Sequence, residues 1–182
     1  EERTVEEQTM ITAPAGTPRK LGYTFRGWKA MEEGAEPPYF EQTFPYRLDV
    51  NTVFEASFKA NTYAVTYDAL GGTVSAYAPK SGTYDALFTL PLATRTGYTF
   101  LGWQDEKDNK YLYATSPQFL WQYTAPMQFT ALYSAKEYSI EYNLNRGTNN
   151  SLNPETYTIE SPEITLENAT RTGYTFAGWY KN

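Results

Sequence analysis

The phrase GYTFLGW occupies residues 97–103, and it returns in nearly the same form at two other places in the chain. It reads GYTFRGW at residues 22–28 and GYTFAGW at residues 173–179, so only the fifth letter changes. Successive copies begin 75 and 76 residues apart. Repetition at a fixed spacing of this length indicates a chain built from similar structural units.

The repetition extends beyond the seven-residue phrase. Residues 63–73 match residues 138–148, and residues 54–58 match residues 129–133, each at an offset of 75. The matches predict three units, which are a partial repeat lacking its first strand (1–59), a complete repeat (60–135) and a partial repeat lacking its last strands (136–182). Incomplete units would leave sheet edges exposed. We therefore expect the outer units to be loosely ordered or completed by head-to-tail association with another molecule.

The composition favours a β protein with an aromatic core. Hydrophobic residues make up 41% of the 182 residues, and they include 17 Tyr, 10 Phe and 4 Trp. Tyr, Phe, Thr and Val suit the pleated, half-buried surface of strands. We predict a mainly β chain, α+β at most, of small β-grasp-like modules with about 75 residues each, the repeat length.

Charge and missing residue types exclude several kinds of function. The net charge is −6 and basic residues do not cluster, which argues against a nucleic acid or an anionic membrane as partner. No apolar run approaches 18 residues, so no membrane insertion is expected. The chain has no Cys and no His, which removes thiol chemistry, the commonest general base and the commonest metal ligand.

The pattern of acidic residues in the sequence indicates neither a catalytic site nor a metal site. They do not recur at equivalent places across the units, so no acid–base pair can be named. The acidic segment at residues 105–109 lacks the regular ligand spacing of a calcium loop and is interpreted as a solvated turn. We expect no enzyme activity, no cofactor and no metal.

Within one unit, alternation of apolar and polar residues predicts the strands. Tyr63, Val65 and Tyr67 alternate with polar or small residues, which indicates a first strand. Leu70 and the glycines after it predict a hairpin turn, and a second strand would cover residues 73–78. After the second strand we predict a crossing connection at residues 91–97 that contains a short helical turn. A short strand at 111–113 and a last strand at 128–133 would complete the unit.

The repeated phrase itself predicts a buried face. Tyr98 and Phe100 would share the inner face of a strand, because the variable fifth position lies on the other face. Trp103 would face outward on a regular strand, so we predict a β-bulge at Gly102 that turns the indole inward. The predicted core set is Tyr23, Phe25, Trp28, Tyr98, Phe100, Trp103, Tyr174, Phe176 and Trp179.

Three motifs together resemble a known family. These are V/I-x-Y-D/N-x-x-x-G at residues 65–72 and 140–147, T-R-T-G-Y-T-F-x-G-W at 94–103 and 170–179, and F-x-A-x-Y at 129–133. The pattern is similar to the internalin B-type B repeat, also called the Listeria–Bacteroides repeat. The resemblance implies a β-grasp-like module of secreted or wall-anchored bacterial surface proteins, where such repeats form tandem stalks.

Two function hypotheses follow from the sequence. The first is a structural spacer in an extracellular or cell-surface protein such as an adhesin, with neighbouring repeats as its partners. The second is weak multivalent binding of a glycan or a host surface protein by aromatic residues in the variable half of the repeat. The candidate ligand contacts are Tyr111, Tyr113, Trp121 and Tyr123.

Overall fold

The computed structural model describes residues 9–115 and 117–180. All regular secondary structure in these ranges is β, with sixteen short strands and no helix. The prediction of a mainly β chain is therefore confirmed, while the β-grasp arrangement stays a prediction. No helix in the described ranges has the length and apolar character needed to cross a membrane.

The described residues form two compact units that interleave along the sequence. The first contains residues up to 66 together with Pro79–Thr89 and Gln118–Met127 in the region of the second sequence repeat. The second contains Tyr67–Ala78, Leu90–Pro117 and residues from 128 onward. The predicted middle repeat thus contributes to both units, and the predicted repeat boundaries stay a prediction.

The first unit consists of antiparallel pairs and one three-stranded sheet. The sheet has the order β3-β2-β5, and the pairs are β1 with β4, β6 with β8, and β9 with β13. The strands are β1 (Thr9–Ile11), β2 (Tyr23–Glu32), β3 (Glu41–Gln42), β4 (Tyr46–Leu48), β5 (Thr52–Ala60), β6 (Thr62–Asp68), β8 (Ser81–Thr83), β9 (Leu87–Thr89) and β13 (Gln118–Leu120). The last two residues of β6 belong to the second unit.

The strand pairs within the second unit are also antiparallel. Strand β11 lies between β12 and β14, and two-residue pairs join β7 with β10 and β15 with β16. The strands are β7 (Thr73–Val74), β10 (Ala93–Thr94), β11 (Tyr98–Asp105), β12 (Lys110–Leu112), β14 (Met127–Ala135), β15 (Tyr138–Ser139) and β16 (Thr156–Tyr157). Met127 belongs to the first unit.

The predicted β-bulge is present in the two copies of the repeated phrase that form long strands, β11 and β2. The pairing of β11 with β14 shifts register between Phe100 and Gly102, and β2 with β5 shifts in the same place between Phe25 and Gly27. Gly102 has a φ of +148°, in the region that favours glycine. The bulge removes the strict alternation of the strand, so Trp103 can share a face with Phe100.

A turn follows β6 where the sequence predicts one, but it does not form a hairpin, because β7 pairs with β10 rather than with β6. Leu70 and Gly71 both have positive φ, at +48° and +82°, and the amide of Gly72 donates to the carbonyl of Ala69 at 2.8 Å. Asn145 and Arg146 replace them in the third repeat with φ of +45° and +70°. The turn geometry therefore survives a change in both side chains.

Two local predictions are wrong. The second strand spans only Thr73–Val74 rather than residues 73–78, because Ser75 and Ala78 close a turn directly after it. Residues 91–97 contain no helical turn. Ala93–Thr94 instead pairs with β7, and a two-residue pairing is too short to produce visible alternation in the sequence.

Candidate functional site

The tryptophan of the repeated phrase anchors the interior of the second unit. Trp103 is 0% exposed, and its indole Nε1 donates to the carbonyl of Pro91 at 2.7 Å. Its ring centroid lies 5.5 Å from that of Phe100 and 5.1 Å from that of Tyr67. Phe129, also 0% exposed, stacks on Tyr67. Burying the indole with its N–H satisfied avoids the cost of an unpaired polar group.

Trp28 and Trp179, the tryptophans of the other two copies of the phrase, repeat part of this arrangement. Trp179 donates from Nε1 to the carbonyl of Glu167 at 3.1 Å, which is the position equivalent to Pro91. Its ring contacts Phe176, with centroids 5.3 Å apart. Trp28 contacts Phe25 at 5.6 Å. Trp28 and Trp179 are both half-buried, so only the middle copy is fully enclosed.

The tyrosines of the phrase do not lie in a common core. Tyr23 and Tyr98 are half-buried, whereas Tyr174 is 66% exposed, so the expectation that Tyr174 faces a core differs from the structure. The reason is that Tyr84 covers Gly22 beside Tyr23 and Ile159 covers Gly97 beside Tyr98, whereas no described residue covers Gly173 beside Tyr174. Phe25, Phe100 and Phe176 are half-buried on the tryptophan side.

In the first unit, Gly22 and Tyr23 contact residues from the following repeat. The ring of Tyr84 covers Gly22 so closely that an added Cβ would lie 2.2 Å from it. Tyr23 and Tyr84 meet edge to face with centroids 5.7 Å apart. The hydroxyl of Tyr23 donates to Oδ2 of Asp85 at 2.9 Å, and the amide of Asn61 donates to the carbonyl of Gly22 at 2.9 Å.

In the second unit, Gly97 and Tyr98 make the equivalent contacts. Ile159 covers Gly97, where an added Cβ would lie 2.7 Å from Cδ1. The carboxylate of Glu160 raises the pKa of Tyr98, as an acid close to its hydroxyl would. The amide of Lys136 donates to the carbonyl of Gly97 at 2.8 Å. All three partners lie 75 residues after their counterparts in the first unit.

These contacts define a repeated joint with two parts. The Gly-Tyr pair belongs to one repeat, and an apolar residue followed by an acid belongs to the next, which we call the apolar–acidic pair. The two apolar–acidic pairs are Tyr84-Asp85 and Ile159-Glu160. The joint therefore combines an apolar contact over glycine with an acid near the tyrosine, and in the first unit the tyrosine donates a charge-assisted hydrogen bond to that acid.

The hydrogen bond and a nearby cation set the electrostatics of each tyrosine. The hydrogen bond to Asp85 raises the pKa of Tyr23, and the carboxylate of Glu160 raises the pKa of Tyr98, while Arg95 partly opposes the second shift. A cation lies over each ring three residues before it. The distances to the ring centroid are 3.9 Å for Lys20, 4.0 Å for Arg95 and 3.8 Å for Arg171. Such contacts favour a fixed ring position.

The sequence reasoning missed the acids of the joint. It held that acidic residues do not recur at equivalent places, yet Asp85 and Glu160 do recur at an offset of 75. The signal was available as an apolar residue followed by an acid. It was weak because neither residue is identical between the two copies.

The four aromatic residues predicted for ligand contact have different positions. Trp121 is 0% exposed, and its ring covers Gly82 and contacts Phe88 with centroids 4.8 Å apart. Tyr123 packs edge to face on Trp121. In the second unit, Tyr111 is half-buried against Phe129, and Tyr113 is 40% exposed near Phe100. Trp121 is thus enclosed within its own unit.

The acidic segment after β11 is organised by a buried carboxylate rather than being fully solvated. Asp105 is 4% exposed and accepts hydrogen bonds from the amides of Lys107 and Asn109 at 2.8 and 2.9 Å. It also accepts from the Asn109 side chain at 2.8 Å. Asp108 adopts a φ of +64° in this tight turn. In residues 9–115 and 117–180 no three acidic side chains are grouped as metal ligands would be.

Strands joined by short turns, with the same joint formed twice, define a protein of tandem β repeats. More particularly, the chain belongs to the Listeria-Bacteroides repeat domain family. The family model matches three segments, at residues 1–51, 63–130 and 138–182. The resemblance inferred from the repeated motifs is confirmed.

Two curated relatives come from Evansella cellulosilytica. One, named "Putative membrane protein", is 28% identical over 182 residues, which cover 97% of this chain and 25% of the relative. The other, named "Putative Gly-rich membrane protein", is 25% identical over 184 residues, which cover 95% of this chain and 21% of the relative. The chain thus spans about a quarter of the length of these relatives or less. The comparison with solved structures gave no significant match.

Proposed function

We propose that this chain is a spacer segment of a bacterial cell-surface or secreted protein, such as the stalk of an adhesin. The observation that carries the proposal is the joint, which connects consecutive repeats by the same two contacts in each unit. A module that makes the same contacts with every neighbour can be repeated in tandem, because each added copy uses contacts of the same kind. Membership of the repeat family and the names of the two relatives support a place at the cell envelope.

The proposed role is mechanical rather than catalytic. The conspicuous residues of the phrase are used in packing and in the joint, where Trp103 fills an interior and Tyr98 reaches the next repeat. Stability in such an array is approximately the sum of module terms and nearest-neighbour terms. The joint therefore supplies the neighbour term that would keep successive modules in a fixed relation.

Small-angle scattering on the 182-residue chain tests the spacer proposal. The expected result is an elongated particle whose longest dimension clearly exceeds that of a compact protein of this length. Circular dichroism on the same sample would establish that the chain is folded with β structure. A folded particle with the dimensions of a compact globule would overturn the proposal.

The proposed location has its own test. Antibodies raised against this chain should label intact cells of the bacterium that produces it, without permeabilisation. Labelling that appears only after the envelope is opened would contradict the surface location. A cytoplasmic marker stained in parallel serves as the control for intact cells.

The ligand-binding hypothesis has less support. Trp121, the strongest candidate for stacking on a sugar, has no exposed surface and packs on Gly82. Tyr111 and Tyr123 are half-buried against neighbouring rings. The aromatic residues of the variable half are therefore used mainly to complete the modules.

A further inference from the structure

The third Gly-Tyr pair has the form of the other two joints without their covering residue. We propose that Gly173-Tyr174 is a docking site for a further repeat, which would bind through an apolar residue followed by Asp or Glu. This inference deepens the proposed spacer function and rests on it, because it names the partner that each repeat selects.

The local geometry of the site is already that of the filled joints. Gly22, Gly97 and Gly173 have φ of +75°, +78° and +76°. In all three copies the tyrosine amide donates at 3.1 Å to the carbonyl three residues earlier. Arg171 lies over the Tyr174 ring at 3.8 Å, as Arg95 lies over Tyr98 at 4.0 Å. The site is therefore preorganised, so binding would not have to order it.

What differs is the space above the glycine. An added Cβ at Gly22 or Gly97 would meet an apolar side chain at 2.2 or 2.7 Å, but at Gly173 it would meet no atom within 4 Å in the part of the chain that the structure describes. Tyr174 is 66% exposed, whereas Tyr23 and Tyr98 are half-buried. The third copy thus presents an exposed ring beside an open notch of the same shape.

The two filled copies define the chemistry of the occupant. Tyr84 and Ile159 differ in shape, so the space over glycine accepts either an aromatic or a branched aliphatic side chain. Asp85 and Glu160 differ in length, yet Asp85 accepts the hydroxyl of Tyr23 and Glu160 occupies the equivalent position beside Ile159, where it raises the pKa of Tyr98. The guanidinium of Arg171 beside the site favours an acidic partner over a basic one. The occupant that fits is the apolar–acidic pair of another repeat of this family.

Extending the chain provides the test. Trp179 and Trp103 are equivalent at an offset of 76, so appending a second copy of residues 107–182 after Asn182 continues the repeat in register. The appended copy then offers its own Ile159-Glu160 to Tyr174 of the original chain. Thermal unfolding is measured for the original and the extended chain, each with and without Tyr174→Phe. This substitution removes the hydroxyl and leaves the ring.

We expect Y174F to leave Tm unchanged in the original chain, where Y98F lowers it. In the extended chain Y174F should lower Tm, and Glu160→Ala in the appended copy should cancel the difference between Tyr and Phe at position 174, because it removes the acceptor. Heteronuclear NMR of the extended chain should also show new shifts for the Gly173 amide, a readout that does not depend on stability.

Two results would overturn the inference. One is a Y174F substitution that leaves Tm unchanged in a folded extended chain, together with a Gly173 amide whose chemical shift is the same in the original and extended chains. The other is a Y174F effect of equal size in the original and extended chains, which would assign Tyr174 a role inside its own repeat. Neither result would affect the scattering test, so the spacer proposal could survive the loss of this docking rule.

Discussion

Trp103 shows how one side chain can serve several demands of a small module. Its ring fills the interior between Phe100 and Tyr67, and its N–H is satisfied by the carbonyl of Pro91 at 2.7 Å. A unit of this size has no disulfide to support it, because the chain has no Cys. Small modules depend strongly on such anchors, since they bury a smaller fraction of their surface.

Replacing Trp103 with Ala should reduce the free energy of unfolding by about 3–5 kcal/mol, the usual cost of removing a buried aromatic ring. Urea denaturation of the variant measures this loss. Tyr77→Ala is the matched control, because Tyr77 is 95% exposed and its loss should change stability by less than about 0.5 kcal/mol. Equal effects of the two substitutions would contradict the placement of Trp103.

Tyr67 provides a residue-level prediction for alkaline pH. Burial raises the pKa of Tyr67 above the usual value for tyrosine, which is about 10. In the unfolded chain this tyrosine ionises near pH 10, while in the folded chain it keeps its proton. The free energy of unfolding should therefore be constant up to about pH 9 and fall as the pH rises through the folded pKa.

Urea denaturation between pH 7 and pH 11, together with tyrosinate absorbance, measures this dependence. Tyr67→Phe should make the alkaline fall shallower, because it removes one of the protons that folding retains. Some fall should remain, since Tyr23, Tyr46, Tyr98 and Tyr133 also have raised pKa values. A Y67F profile as steep as that of the unmodified chain would contradict the assignment.

At the scale of elements, the bulge in β11 decides which face of the strand each aromatic residue occupies. The register shift between Phe100 and Gly102 lets Phe100 and Trp103 share a face although they are three residues apart. The same shift occurs between Phe25 and Gly27 in β2. The strand segment that connects Gly97 to Trp103 therefore contains a β-bulge.

Gly102→Ala should destabilise the chain more than Gly27→Ala. Both glycines have similar φ, +148° and +152°, so the two substitutions carry similar backbone strain. An added Cβ at Gly102 would lie 2.2 Å from the carbonyl oxygen of Tyr111, whereas at Gly27 the nearest atom is Cβ of Glu41 at 3.6 Å. Thermal unfolding of the two variants measures the difference, and a G27A variant with the lower Tm would contradict it.

The strand pattern could be predicted from the sequence to different extents in different places. Alternation located β6 and β14, and the conflict between alternation and a repeated tryptophan located the bulge. Residues 91–97 were misinterpreted, because β10 contributes only two residues to its pairing with β7. Periodicity needs more than two residues to be visible.

The joint could not be predicted from periodicity. Alternation distinguishes the two faces of a strand, but it does not show which residue 62 positions away lies beside Tyr23. The sequence therefore predicts a core position for Tyr98, whereas the pKa of this tyrosine is raised by Glu160 of the next repeat. The repeat offset of 75 relates Asp85 to Glu160, and comparing these two residues identifies the acids of the joint.

At the scale of the whole molecule, the repeated phrase has two tasks. Its tryptophan end packs inside a module, as Trp103 does, and its Gly-Tyr end holds the next module, as Gly22 and Tyr23 do. One repeated phrase can then provide both the interior and the connection. Residues at the joint vary between Tyr84 and Ile159 without changing what they cover.

A double-mutant cycle at Tyr23 and Asp85 tests this connection most directly. The four proteins are the unmodified chain, Tyr23→Phe, Asp85→Ala and the double variant, and the free energy of unfolding is measured for each. If the hydroxyl and carboxylate act as one contact, the double variant should lose no more stability than the more damaging single variant. Losses that simply add would show that the two groups act independently, and they would contradict the joint between repeats.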